Sequence, residues 1–276
     1  MKSGFGSILR DWLAMRRVSQ LDLALKTNIS QRHISFVESG RSRPSREMVA
    51  KLAEGLDLPL RVRNEILLAA GYAPLYLERR LDLAEMKNAR HALERILRHH
   101  EPYPAVVTDG AWNILLQNAA AIRIVVHCVD EWAMGRLSSN GTANFMRLMF
   151  SDDGMRPHIL NWRETRTILM ARLIREAAAN PGSPSERLRR ELGEAAALPM
   201  ADAAMCDEPL ESTLPLELLV GNVRLRLFST FTTFGTPQDV TLQELRIDMS
   251  FPADDETDRF LATAADVGIA GALRRE

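Results

Sequence analysis

Between Gln20 and Ser39 the apolar residues recur at a spacing that two short crossing helices can use. Leu23, Ile29, Ile34 and Val37 fall on inward faces, and Ala24 is small where the two helices must approach. Asn28 stands at the break between them, where a left-handed backbone residue is expected. That spacing is a helix-turn-helix, and it constrains everything upstream and downstream. Ser30 serves as N-cap of the second helix and leaves Gln31, Arg32, Ser35 and Phe36 facing outward on its first two turns. Those side chains suit the edges of bases in a major groove. Glutamine pairs bidentately with adenine, arginine with guanine, and a phenyl ring touches a thymine methyl. Gln20 at the start of the first helix, with Arg41 and Arg43 in the loop after the second, is placed for phosphates, which hold register without reading sequence.

The surroundings agree with a helical module. Helical periodicity over Phe5 to Leu13, Leu21 to Leu25, Ile34 to Val37, Met48 to Leu56 and Leu60 to Ala70 predicts five helices. Ser19, Ser30 and Ser45 precede the second, third and fourth, Pro59 takes a first-turn place in the fifth, and Gly40 and Gly71 follow the third and fifth. Charge separates along the chain. Residues 1–100 carry 18 Lys and Arg against 11 Asp and Glu, and residues 101–276 carry 17 against 25, so a net charge of -1 hides a basic half. A basic half wants an anionic partner, nucleic acid or a membrane surface; charge does not choose between them, and the helix-turn-helix points to double-stranded DNA.

A second stretch, Leu81 to His100, sets Leu83, Met86, Ala89, Leu93, Ile96 and Leu97 on one face and predicts a connecting helix. Beyond it the period changes. Pro104 to Asp109, a Gly110-Ala111 turn and Trp112 to Gln117 predict a hairpin. Helices are expected over Ala119 to Cys128, Asn144 to Phe150, Asn161 to Ala179 and Ser185 to Ala197. Leu216 to Val220, Gly221-Asn222 and Val223 to Phe234 give a second hairpin, Thr241 to Phe251 a further strand, and Thr257 to Val267 a closing helix behind four acids. The expected fold is an all-α N-terminal five-helix domain over 1–79, a connecting helix over 80–101, and an α+β domain over 102–276.

For that second domain, Trp112, Leu116, Phe228, Phe231 and Phe234 are candidates to line an apolar ligand pocket between sheet and helices. Plain core packing is the competing reading for each. Arg224 and Arg226 alternate along one strand, facing water or holding a ligand carboxylate. Gly4-Phe5-Gly6 lacks the preceding strand and third glycine of a nucleotide loop. His99-His100-Glu101 and His127-Cys128 are adjacent pairs without further ligands at metal-site spacing, so no metal is expected. Cys128 and Cys206 form no framework and read as buried thiols. Neither a nucleophile elbow, a zinc-protease helix nor a phosphate-binding loop occurs, which argues against an enzyme and for no cofactor. With no apolar run of spanning length and no leader-like start, the expectation is a cytoplasmic protein with no membrane contact.

The residues Ser19-Gln20-Leu21-Asp22-Leu23-Ala24 and Ile29-Ser30-Gln31-Arg32-His33-Ile34-Ser35-Phe36-Val37-Glu38-Ser39-Gly40-Arg41-Ser42-Arg43-Pro44-Ser45 resemble the Cro/repressor-type helix-turn-helix of the xenobiotic-response-element (XRE) family. Ala70-Gly71-Tyr72-Ala73-Pro74, Pro104 to Asp109, Trp112-Asn113, Thr232 to Pro237 and Phe251-Pro252-Ala253-Asp254 are similar to its MmyB-like subgroup. The resemblance implies a homodimeric transcription regulator whose C-terminal domain is PAS-like and holds a small, fatty-acid-like apolar ligand. An alternative keeps the DNA reader and gives the C-terminal domain only dimerisation or partner binding. The chain departs from the pattern twice. Asn28 stands where many relatives have Gly, and Leu13 stands where many carry an Arg that pairs with the recognition-helix Glu. Glu38 is thereby left to Arg10, Arg16 or Arg17.

Overall fold

The structure is a computed structural model that describes residues 4–139, 141–179, 182–193, 214–235 and 237–274. The chain divides into two compact units, one made of residues 4–79 with 237–243, the other of 80–235 and 244–274.

The first unit holds α1 (Phe5–Arg16), α2 (Gln20–Thr27), α3 (Gln31–Glu38), α4 (Arg46–Gly55) and α5 (Leu60–Ala69). The expected caps form. Ser19 closes a capping box with Asp22, and the Ser30 and Ser45 hydroxyls accept the backbone N–H groups of His33 and Met48. Leu9, Leu23, Ile34, Val49, Leu52 and Ile66 are fully buried at the centre. Two glycines set how closely these helices approach. A Cβ on Gly6 would fall 2.0 Å from the carbonyl oxygen of Glu38, and one on Gly55 2.5 Å from the Thr27 methyl. The Gly4-Phe5-Gly6 fragment is thus a helix contact between α1 and the end of α3. Pro59 differs from its expected place: it is the N-cap of α5, with φ -57 and ψ 151, and has no side-chain acceptor to offer. The Leu60 N–H is met instead by the Gln243 side chain at 2.7 Å. Residues 237–243 lie against this unit through an Arg79–Asp239 ion pair at 2.9 Å and the Val240 N–H bonded to the Leu77 carbonyl at 2.8 Å.

In the second unit a single 3-10 turn at Ala84–Met86 leads into α6 (Lys87–His99), which is therefore shorter than the expected Leu81–His100 helix. Leu83 stays exposed, and only Met86, Leu93 and Leu97 of the predicted face are buried. The chain continues through β1 (Ala105–Thr108), β2 (Ile114–Gln117), α7 (Ala119–Cys128), α8 (Glu131–Leu137), β3 (Ser138–Ser139), β4 (Thr142–Ala143), α9 (Phe145–Phe150), α10 (Trp162–Ala179) and α11 (Pro184–Gly193). Then come β5 (Leu214–Val220) and β6 (Val223–Thr232), the short α12 (Val240–Glu244), which up to Gln243 belongs to the first unit, and β7 (Arg246–Pro252), α13 (Asp255–Val267) and α14 (Ile269–Ala272). The stretch 194–197 of the expected Ser185–Ala197 helix lies outside the described residues, as does Cys206.

Five strands form one antiparallel sheet in the order β2-β1-β7-β6-β5, while β3 and β4 pair separately. Gly221, at φ 63, makes the predicted β5–β6 turn. Asn118, Asn144 and Asp254 cap α7, α9 and α13 by accepting from backbone N–H groups three residues on. Two predicted strand ends are corrected. Trp112 lies in the β1–β2 turn at φ 65, because Asp109 accepts the Ala111 and Asn113 N–H groups and folds the chain before the strand begins. The expected Thr241–Phe251 strand begins only at Arg246, since the Asp239 carboxylate accepts the Thr241 N–H and starts the short helix α12.

Candidate DNA-reading surface and ligand cavity

The DNA-reading surface is built on α2, Asn28 and α3. Asn28 adopts the left-handed conformation the turn needs, at φ 54 and ψ 37. Ile34 and Val37 are buried, which rotates Gln31 and Arg32 to the exposed side, with Ser35 and Phe36 half-buried beside them. The Arg32 and Arg41 guanidinium groups lie 5.3 and 5.9 Å from the Phe36 ring centre, one on each flanking segment. That arrangement restrains two long cationic side chains at the edge of the reading helix. Arg43 is exposed in the loop after α3. Ser30 is engaged as the cap.

Glu38 resolves the question left by Leu13. Arg10 Nε donates to its Oε1 at 2.9 Å, and Gln20 Nε2 to its Oε2 at 2.6 Å. The carboxylate thus ties α1, α2 and α3 together, and the Gln20 amide is half-buried in that knot. Arg16 goes elsewhere, to the Asp57 carbonyl at 2.9 Å. Sequence reasoning missed the Gln20–Glu38 bond; its signal was a polar residue at the start of α2 and an acid at the end of α3.

In the second unit a cavity of about 90 Å³ opens on the inner face of the sheet. Val106 of β1, Ile114 and Gln117 of β2, and Leu227 and Ser229 of β6 line the sheet side. Ile124 and Val125 of α7 and Phe145, Leu148 and Met149 of α9 cover it. Pairing register sets Gln117 beside Val106, Val106 beside Asp248, and Asp248 beside Phe231, one row across four strands. The next row pairs Ser229 with Ser250, whose hydroxyls lie 3.1 Å apart. The cavity wall is therefore mostly aliphatic, with Gln117 polar at one end of that row and Asp248, Ser229 and Ser250 gathered at another place.

That place holds a buried carboxyl. Asp248 is 8% exposed, and its Oδ1 has no hydrogen-bond partner. Burial pushes this carboxyl up to about 6, against the opposing pull of the Arg172 charge and the Ser229 hydroxyl. Arg172 lies off the cavity wall with its guanidinium 3.3 Å from the Phe231 ring centre and its Nε donating to Glu176 at 3.1 Å. Glu176 in turn accepts from the Trp112 Nε1 at 3.0 Å and pairs with Arg246 at 3.0 Å. Desolvation lowers the Arg172 guanidinium and Glu176 opposes it.

The five aromatic and aliphatic candidates fall around this cavity and not among its lining residues. Trp112 is 1% exposed and stacks on Phe145. Leu116 lines a shallow groove with Leu97 and Ala119 on the other side of the sheet edge. Phe228 stacks on Phe251, on the opposite face of β6 from Leu227 and Ser229. Phe231 is partly exposed under Arg172, and Phe234 is half-buried after β6. Arg224 and Arg226 point outward and pair with Glu217. Cys128 is a half-buried thiol that burial raises to about 11. Among the described residues no three His, Cys, Asp or Glu side chains converge as a metal site, and no helix is long and apolar enough to cross a membrane.

An exposed recognition helix in one unit and an apolar cavity in the other define a DNA-binding protein with a ligand-binding domain. The helix-turn-helix family matches residues 9–62, and the MmyB-like transcription regulator ligand binding domain matches residues 89–264. The chain belongs to the MmyB-like transcription regulators, with an XRE-type reader at its N-terminus, and is a ligand-responsive transcription regulator. Both families are regulatory, not enzymatic. No curated protein matches the chain. A solved structure entitled an RNA-binding light-oxygen-voltage receptor aligns over 98% of this chain at 12% identity and a TM-score of 0.25. The chain spans 61% of that protein's length, and at that TM-score the likeness carries no argument about fold.

Proposed function

We propose that the protein is a homodimer that reads a two-fold operator through α3 and changes its DNA affinity when a small, fatty-acid-like apolar molecule enters the cavity of a PAS-like second unit. The observation that carries this reading is the cavity itself, mostly aliphatic with a few polar groups, Asp248, Ser229, Ser250 and Gln117. Such a lining suits an apolar chain with one polar end. In this reading Gln31, Arg32, Ser35 and Phe36 meet base edges, Ser30 and Gln20 fix the helix that carries them, and Arg41 and Arg43 meet phosphates. Two copies related by two-fold symmetry would address half-sites about one helical turn apart. A ligand shifts DNA affinity only through a difference in its affinity for the two states of the dimer.

A second reading draws on the surface of the same unit. Ile122 and Val126 of α7 and Trp132 of α8 are exposed, Val126 at 70%, which supports a unit that serves dimerisation or partner binding alone. Native mass spectrometry of the full chain, followed by organic extraction and mass analysis, separates the two. A dimer that releases a small amphiphile supports the sensing reading. A dimer that carries nothing, and whose thermal stability is unmoved by added amphiphiles, overturns it and leaves the partner-binding reading.

A further inference from the structure

The first long helix of the second unit, α6, ends where two walls of the cavity meet it. On the sheet side, β1 and β7 pair with Ala105 opposite Met249, and one residue further on that register sets Pro104 opposite Ser250. An antiparallel ladder calls there for two hydrogen bonds. One forms, from the Ser250 N–H to the Pro104 carbonyl at 2.9 Å, but proline has no N–H to return. The His100 side chain takes that place, its Nε2–H donating to the Ser250 carbonyl at 2.7 Å. Its half-buried ring stands edge-on to Phe251 at 4.8 Å and to Tyr103 at 5.9 Å, which holds it in that position. Pro104 and Ser250 both line the cavity, so the residue that follows α6 completes the cavity wall. On the helical side, Asn118 caps α7 and donates through Nδ2 to the Tyr103 carbonyl at 2.7 Å and, more weakly, to the Leu97 carbonyl inside α6 at 3.4 Å. The same α7 carries Ala121, Ile124 and Val125 of the lining, and its Arg123 pairs with Glu101 at 3.1 Å.

We propose that His100 is the positioning residue through which an occupied cavity acts on α6, by standing in for the N–H that Pro104 lacks. A chain that enters the cavity presses β7 and α7 apart. At Ser250 the wall then has two courses: it gives up the His100 bond and leaves a carbonyl whose ladder partner has no donor, or it carries the end of α6 with it. The bond favours the second course. Asn118 ties α7 to the same turn, so the relative movement of the two walls is felt at one helix end. A helix of this length moves as a rod, and a shift at His99 is delivered at Lys87, the end from which the chain runs back to the reader. Packed walls of this kind switch between discrete arrangements instead of yielding smoothly, which gives the ligand two states to choose between.

This inference rests on the sensing role proposed above, so its test keeps the two apart. It uses the full-length protein, an operator duplex selected from a random pool, and decanoate as the probe. In the native protein saturating decanoate is expected to shift the operator dissociation constant about tenfold, and bound operator to shift decanoate affinity by the same factor. His100→Phe keeps a ring against Phe251 and Tyr103 and removes the donor. It is expected to bind decanoate alone and operator alone within about twofold of the native values, while both shifts fall below about twofold. His100→Gln sets an amide N–H at about the reach of Nε2 and should keep most of the shift. If His100→Phe does not fold, His100→Asn, one methylene shorter than glutamine, should lose the shift in its place. Native-sized shifts in the Phe or Asn variant overturn the role of His100 and leave the sensing reading intact. Native protein that binds no decanoate, or whose operator affinity ignores bound decanoate, overturns the sensing reading and this inference with it.

Discussion

The two units bury polar groups in different ways. In the reader, Thr27 and Asp239 are the buried polar side chains among the described residues, and each is met: Thr27 donates to the Leu23 carbonyl, and Asp239 holds Arg79 and the Thr241 N–H. The second unit buries Asn118, Asn144 and Ser185 with full sets of partners, yet leaves one carboxylate oxygen of Asp248 empty beside a cavity. A close-packed helical unit with its polar atoms satisfied has one arrangement to hold. A unit that leaves a buried acceptor unmet carries a cost that the first unit avoids. The first unit presents the reading surface, and the second holds the apolar cavity.

The comparison breaks most readily at Gly6. Replacing it with Ala sets a Cβ against the Glu38 carbonyl, and with backbone on both sides neither helix can yield cheaply. The expected loss is about 3 kcal/mol, confined to the reader, so calorimetry should show its transition fall while that of the second unit stays. If both transitions move together, the units are not separate cores. Next in size are the DNA contacts. Gln31→Ala should cost about 2 kcal/mol on the preferred operator and little on random duplex, whereas Arg43→Ala should weaken both and lower the salt slope by about one. Equal losses for both variants on both duplexes would contradict the division between reading and positioning.

A smaller effect sharpens the other half of the contrast. The folded-state carboxyl of Asp248 sits at about 6, above its ordinary range, so the fold binds that proton more tightly than the unfolded chain does. Its contribution is full below about pH 4 and is lost as pH rises through 6. Asp248→Asn should therefore raise stability by about 1–2 kcal/mol at pH 7.5 and by much less at pH 4, measured as chemical denaturation midpoints. A gain equal at both pH values would mean that charge burial is not the cause. Least of all should matter the exposed Lys51–Glu47 pair on α4, where Lys51→Ala is expected to change stability by no more than about 0.5 kcal/mol.

Local signals carried most of the fold. Three serines announced helix starts, Gly221-Asn222 announced a hairpin, and the caps and turn formed where those residues stand. The reading helix was legible for the same reason, since its inward and outward faces follow from four apolar positions in sequence. Interactions between distant residues were not legible. Gln243 caps α5 from 183 residues away, and nothing near Pro59 signals it. The stretch from Thr241 suggested a strand, but an aspartate two residues before Thr241 accepted its N–H and made a helical turn. The cavity lining was obscured by a sound rule. Aromatics on strands drew attention to Trp112 and Phe228, while the polar alternation Arg246, Asp248, Ser250 on the inner face of β7 drew none.

The central claim is that reading and sensing reside in one chain and are coupled. Its most direct test is to select operator duplexes from a random pool with the full-length protein, then measure their dissociation constants by fluorescence anisotropy with and without a saturating amount of the amphiphile recovered from the protein. Coupling predicts that bound amphiphile shifts the operator dissociation constant by about tenfold, within the usual range of allosteric coupling, and that Gln31→Ala abolishes the selected preference. Operator affinity unchanged by a ligand shown by calorimetry to occupy the cavity would contradict it.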